Sequence, residues 1–361
     1  MTAIPRAVAW GSDGTSVRII DQRALPHVLR YLDLRTLDEI VDAIRTLAVR
    51  GAPAIGVAGA MGLAVMAASL ATRQPALPPR AFVAALDDAA TRIAAARPTA
   101  VNLPWAIARL RHRAAAEGHL EPSHLAAALR DEAEQIRADD EAMCARIGAH
   151  GAPLLRDGAR VLTHCNAGAL ATAGIGTALA PVYAAHAAGR RVEVFATETR
   201  PLLQGARLTM WELTRAGIPC TLIVDSAAAS LLRGGAADCV LVGADRIAAN
   251  GDVVNKVGTY PIALAAQANG VPFYVAAPSS TIDAATAAGH DVPVEERDPD
   301  EVFTFAGARS AAAGVRARNP AFDMTPAALV AAIITDAGIV RAPYDFSAAA
   351  ARIPLSHPTR T

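Results

Sequence analysis

Lysine is almost missing from this 361-residue chain: of its 34 cationic residues only Lys256 is a lysine. An excess of charge is missing too, because 34 Asp and Glu balance the cations and leave a formal net charge of zero. That balance excludes a protein that coats nucleic acid through its phosphates, and it excludes an acidic disordered tail. Aromatic residues are scarce, at 4%. The four cysteines, Cys144, Cys165, Cys220 and Cys239, include no C-x-x-C pair. Neither a zinc knuckle nor a disulfide framework fits such spacing, so no metal is expected and a reducing cytoplasm is the expected compartment. The nine histidines form no H-E-x-x-H pattern; His112, His119 and His124, the closest group, read as surface residues on helices. The opening MTAIPRAVAW is too short and too lightly apolar to read as a signal peptide.

What is present is apolar: 53% of residues are hydrophobic and 19% charged, enough for a large core. The run Ala52 to Thr72 carries no charge and has the length of a membrane span. It is built mainly of Ala and Gly, whereas insertion is favoured by Leu, Ile, Phe and Val, so no membrane association is expected. A buried helix whose small residues admit close neighbours is the better reading. The length suggests two domains. Residues 1–149 read as a mainly helical domain with a short β-hairpin, signalled by Asp13-Gly14 between apolar runs. A helix should start at Thr36, with Glu39 three residues on completing a capping box. Further helices are expected near 80–96, 104–117 and 122–149.

From residue 150 to 361 the texture is α/β. Five short apolar runs, 159–165, 191–197, 220–225, 239–245 and 271–277, alternate with Ala-rich helical stretches, which implies a parallel sheet. Four of them end in polar pairs, Cys165-Asn166, Thr197-Glu198, Asp225-Ser226 and Asp245-Arg246, where an open α/β sheet places its ligand crevice. The tail beyond about residue 345 reads as a loosely ordered extension.

Cys165 precedes a Gly/Ala-rich run that reads as a turn into a helix N-terminus, where a thiol is activated and an anion can be held. A dinucleotide fingerprint is absent, since Leu179 stands where a third glycine is needed after Gly174 and Gly176. No nicotinamide cofactor is therefore expected. Asp245 suits general acid/base work or, equally, the capping of a helix. Asn255, Lys256, Gly258 and Thr259 lead into another helix, where a cation makes sense if a phosphate sits between ammonium and helix dipole. The Arg-for-Lys skew either reflects drift or marks Lys256 as a site where a compact ammonium is needed and a planar guanidinium does not serve. Arg50, before Gly51-Ala52-Pro53, and Arg97, before Pro98, stand at similar element starts without local acidic compensation.

Together RGAPAIGVAGA (50–60), RPTAVNLPWA (97–106), LTHCNAGALAT (162–172), ETRPLLQGARLTMWEL (198–213), VGADRIAANGDVVNKVGTY (242–260) and NPAFDMTP (319–326) resemble the methylthioribose-1-phosphate isomerase family. That family is part of a wider one holding the regulatory subunits of the eukaryotic initiation-factor exchange complex. The likeness runs from about residue 5 to about 345. It implies a small helical N-terminal domain, a Rossmann-like C-terminal domain, a homodimer, a role in methionine salvage and no redox cofactor. It makes Cys165 and Asp245 the catalytic pair. It makes Arg50, Gly51, Ala52, Arg97, Gln204, Asn255 and Lys256 the residues that contact a sugar phosphate. A ribose 1,5-bisphosphate isomerase of the same family and a non-enzymatic sugar-phosphate-binding subunit are the competing readings.

Overall fold

The computed structural model describes residues 4–97, 101–305 and 307–351, which form two compact units. One comprises Pro5–Cys144 with Ala169–Gly176; the other comprises Ile4, Ala145–Gly168 and the described residues from Thr177 onward.

The first unit opens with an antiparallel sheet of three strands, β1 (Val8–Trp10), β2 (Val17–Ile20) and β3 (Tyr31–Leu34), one strand more than a hairpin. Five helices follow: α1 (Leu37–Arg45), α2 (Ala52–Arg73), α3 (Pro79–Ala94), α4 (Asn102–Ala116) and α5 (Pro122–Gly151), whose residues after Cys144 belong to the second unit. The expected capping box starts α1: Thr36 Oγ1 accepts from the Glu39 N–H at 3.3 Å, and the Glu39 carboxylate accepts from the Thr36 N–H at 2.9 Å. Helix α2 is long and apolar enough to cross a membrane, yet 78% of its most apolar window is buried inside the protein. It is the centre of a core shared with Ile40, Phe82, Ile93, Leu103 and Ile107.

The glycines of α2 explain how an alanine-rich helix fills that place. A Cβ on Gly56 would stand 2.9 Å from the Asn102 carbonyl oxygen, and one on Gly62 would stand 2.8 Å from Ile40 Cγ2. Helix propensity alone favours Gly56→Ala by about 1 kcal/mol. Pushing the backbone of α4 away costs about 1–3 kcal/mol. The expected net result is a lower melting temperature, by roughly 2–4 °C for each kcal/mol lost. Thermal unfolding of the variant checks this; a raised midpoint would show that α4 yields freely.

The second unit is built on a seven-stranded sheet. Its strands are β4 (Ala159–Thr163), β5 (Val192–Thr197), β6 (Cys220–Ile223), β7 (Cys239–Val242), β10 (Phe273–Ala276), β15 (Ala332–Thr335) and β16 (Gly338–Val340). The order is β16-β15-β10-β7-β4-β5-β6, parallel throughout except for β16 at one edge. Between the strands run α6 (Ala180–Ala187), α7 (Met210–Ala216), α8 (Ala228–Arg233) and α9 (Thr259–Ala268). Alternate residues feed opposite layers. In β7, Cys239 and Leu241 join one buried cluster with Val161 and Val194, while Val240 and Val242 join another with Leu162 and Phe273. Burial on both faces is why the inner strands β4, β7 and β10 read as apolar runs, whereas β6, at the edge, leaves Thr221 and Leu222 exposed.

A second sheet of four strands takes the order β11-β8-β9-β14: β8 (Arg246–Ala248), β9 (Val253–Lys256), β11 (Ile282–Asp283) and β14 (Phe322–Thr325). A small hairpin pairs β12 (Thr304–Phe305) with β13 (Ala308–Arg309). The chain beyond residue 345 is less loose than its composition suggests. Tyr344 donates to the Val330 carbonyl at 2.7 Å and stacks on Phe346, and Ala349 is buried. Residues 352–361 lie outside the described part of the chain.

Candidate active site

The chain leaves β4 toward β5 and β6 on one side, then returns to lay β7, β10 and β15 on the other. The order therefore reverses between β4 and β7, and in open α/β sheets a ligand binds outside the carboxyl ends at such a reversal. Cys165 lies two residues beyond β4, and Asp245 three beyond β7.

Cys165 is held in the left-handed region, at φ 65°. A non-glycine residue there is strained, and the peptide groups on both sides of it are pinned. Its N–H donates to Thr199 Oγ1 at 2.9 Å, and its carbonyl accepts from Thr209 Oγ1 at 2.7 Å. Thr199 is itself at φ 65°, and its N–H and that of Arg200 both donate to the Asp225 carboxylate at 2.7 Å. Thr209 ends a π-helical turn, Gly205–Thr209, and the Asn166 amide bridges it to the fully buried Glu212. Two of the other cysteines, Cys144 and Cys239, are buried, and burial pushes both thiols up, Cys239 to about 12.

One expectation about Cys165 is corrected. Only a single 3-10 turn, Ala169–Ala171, follows it, and the next helix begins at Ala180. Gly176 at φ 93° interrupts the helical path, and Pro181 sits in the first turn of α6. Cys165 is therefore not beside a helix N-terminus.

Lys256 ends β9, 8% exposed, with Nζ 5.5 Å from the centre of the Phe322 ring. Burial pulls its pKa below the ordinary lysine value, while negative charge on Cys165 and Asp245 opposes the fall. The thiol, the carboxyl and the amine thus act on one another electrostatically. Asp245 is tied to the same strand, since its N–H donates to the Val254 carbonyl at 2.9 Å. Asn255 donates to Thr259 Oγ1 at 2.9 Å, and that hydroxyl donates to the Lys256 carbonyl at 2.6 Å. Gln204, before the π-helical turn, is 7% exposed, and its Oε1 is enclosed with no hydrogen-bond partner among the described residues. Such an acceptor costs about 1–3 kcal/mol until a donor meets it.

A second expectation is corrected at α9. Its N-terminal N–H groups do not stand open for an anion, because Asp323 of β14 takes those of Gly258 and Tyr260 at 2.7 and 3.1 Å. Burial lifts the Asp323 carboxyl to about 6. A carboxyl raised on folding contributes stability below its unfolded value of 3.8, and that contribution is lost as pH rises through about 6. Asp323→Asn should remove this slope. Denaturant unfolding at pH 4 and pH 7.5 is expected to show a wild-type-minus-variant difference that falls by up to about 3 kcal/mol. A difference that does not change with pH would refute the assignment.

Arg50, Gly51, Ala52 and Arg97 belong to the first unit. Arg50 is buried, and Gly51, at φ 93°, precedes α2 with Ala171 against it; a Cβ there would stand 2.5 Å from Ala171 Cα. Ala52 opens α2 and places Pro53 in its first turn. Arg97 is half-buried just after α3. Residues 98–100, which follow it, lie outside the described part of the chain. Sequence reasoning missed Thr199, Thr209, Asp225 and Asp323 as supporting groups. Thr199, Thr209 and Asp323 lie in the motifs that carry the resemblance and Asp225 ends an apolar run, but sequence does not say which backbone group each side chain meets. Among the described residues no three His, Cys, Asp or Glu side chains gather as metal ligands do.

The model of the initiation factor 2 subunit family matches residues 48–342. The chain belongs to that family. Within it, the chain is 58% identical over 353 residues to the methylthioribose-1-phosphate isomerase of Gemmatimonas aurantiaca, covering 96% of this chain and 97% of that one. Among solved structures it is 40% identical to 5-methylthioribose 1-phosphate isomerase from Pyrococcus horikoshii, with a TM-score of 0.88 and 95% and 94% of the two chains covered. It is 41% identical to a translation initiation factor eIF-2B, subunit delta, from A. fulgidus, with a TM-score of 0.84 over 94% and 97%. The family thus includes members named for catalysis and members named for translation.

Proposed function

We propose that this chain is an aldose–ketose isomerase that converts 5-methylthioribose 1-phosphate to 5-methylthioribulose 1-phosphate in methionine salvage. One observation carries the reading: a thiol, a carboxyl and a buried amine interact electrostatically where the strand order reverses. The relatives named as isomerases, at up to 58% identity, support it. Phosphate on the anomeric oxygen blocks simple opening to a free aldehyde, so the ring must open with the phosphate attached. Asp245 would protonate the ring oxygen and then handle the C2 hydroxyl. Cys165 would act beside the C1–C2 bond, on the second proton or on the electron-poor open chain. C2 loses a hydrogen and C1 gains one, either as a proton through an enediol-type intermediate or as a hydride, so the isomerisation is redox-neutral and needs no redox cofactor.

In the same reading Arg50, Gly51, Ala52, Arg97, Asn255 and Lys256 bind the phosphate end and Gln204 binds sugar hydroxyls. The reading for the four residues of the first unit rests on the resemblance alone. The parallel sheet is taken as Rossmann-like and the working form as a cytoplasmic homodimer. The deciding assay offers the purified protein methylthioribose 1-phosphate and ribose 1,5-bisphosphate and detects ketose; product from the first alone is expected. Product from the bisphosphate alone would move the activity to the sister isomerase. Binding without turnover would favour a regulatory subunit, the second reading, which the likeness to the initiation-factor subunit supports. Lys256→Arg is expected to raise KM about tenfold, or ~1.4 kcal/mol, with kcat little changed. Unchanged kinetics would assign the lone lysine to drift.

A further inference from the structure

His164 is next to Cys165 in sequence, and its ring points into the protein, 2% exposed. Nε2 lies 2.9 Å from the Val257 carbonyl, which can only accept, so Nε2 carries a proton. Burial holds the imidazole below its ordinary pKa, which leaves Nδ1 bare. Nδ1 therefore accepts from Thr197 Oγ1, 2.6 Å away. Thr197 Oγ1 in turn lies 3.2 Å from Thr199 Oγ1, the acceptor for the Cys165 N–H at 2.9 Å. Both threonines are fully buried. Thr197, having given its proton to His164, can only accept from Thr199, whose hydroxyl also reaches the Thr197 carbonyl at 3.3 Å; the chain runs from the Cys165 N–H through Thr199 and Thr197 to His164 and Val257. The far end is the loop between Lys256 and α9, where a Cβ on Gly258 would stand 2.9 Å from the imidazole Cε1.

We propose that His164 is a positioning residue that ties the strained backbone of Cys165 to the loop that directly follows Lys256, so that thiol and ammonium hold a common register. The proposal rests on the isomerase reading. It gives His164 no contact with substrate; its effect is exerted through the two residues it joins. Each bond of the ring can be kept while the other is removed. In His164→Asn the side-chain oxygen replaces Nδ1 and keeps the Thr197 link, but the Val257 link is lost. In His164→Gln the amide nitrogen replaces Nε2 and keeps the Val257 link, but the Thr197 link is lost.

Small displacements at a reacting group are costly, so shifts of about tenfold are expected in each case. His164→Asn, which frees the Lys256 loop, should raise KM and leave kcat within about threefold. His164→Gln and Thr197→Val, which free the Cys165 side, should lower kcat and leave KM within about threefold; Thr197→Ser should restore it. Wild-type kinetics in these variants, or equal changes of both parameters in all of them, would overturn the proposal. The ring-nitrogen NMR signals of 15N-labelled His164 give a readout independent of turnover. A proton on Nε2 and none on Nδ1 is expected, and the opposite tautomer would also overturn it. Should the wild-type enzyme leave methylthioribose 1-phosphate untouched, the activity reading falls while the tautomer still tests the tie.

Discussion

Asp245→Asn is expected to lower kcat by about 10²–10⁴-fold, the range for loss of a positioned acid or base. Substrate affinity should stay within a few-fold. The amide matches the carboxyl in shape, and the backbone bond that ties residue 245 to Val254 is untouched, so the fold and the neighbouring β8–β9 hairpin should persist. What the variant loses is a proton that can be given to the ring oxygen and taken back. Calorimetric binding beside steady-state kinetics separates the two effects. Normal turnover in the variant would sink the assignment. Lower stability with intact kcat would instead identify Asp245 as a structural cap.

The second large effect concerns Cys165, and its sign differs between activity and stability. Cys165→Ser keeps the Cβ and the pinned peptide groups, so it should fold normally and lose about 10²–10⁴ in kcat. Cys165→Gly should also lose turnover, but it removes a side chain from the left-handed region. Relief of that strain is worth about 1 kcal/mol, reduced by the greater freedom of glycine in the unfolded chain. A variant that is inactive and at least as stable as the parent is therefore expected, as found where function keeps a backbone strained. Unfolding midpoints with kinetics on both variants test it. A glycine variant markedly less stable than the serine variant would show that the thiol packs and that φ is not strained.

The sequence exposes the parts of this site unequally, for physical reasons. The inner runs of the parallel sheet are readable because burial on both faces makes them apolar, the edge run 220–225 is readable despite the exposed Leu222 and Val224, and the polar residues that end the runs include Cys165 and Asp245. Ala332–Thr335 and Gly338–Val340 were not read as strands; they are short, and only pairing with β10 and with each other defines them. The turn after Cys165 was misread because glycine and alanine permit a helix without requiring one, and the left-handed Gly176 prevents it. Asp323 could not be anticipated as the cap of α9, since its partners Gly258 and Tyr260 become neighbours only when β14 pairs with β9. Local rules found α1 and its capping box because every group involved lies within four residues. They cannot find a polar contact made by long-range strand pairing.

The scarcity of lysine has a use beyond chemistry. A lysine-specific protease has a single place to cut this chain, and that peptide bond leaves a buried strand residue paired with Phe322 of β14. Cleavage requires the end of β9 to separate from β14, so the native protein should resist until that pairing opens. Because any cut yields the same two fragments, their rate of appearance reports one opening event. The chain thus carries a built-in clock for the opening of its own candidate active site, readable on a gel without label or mutation.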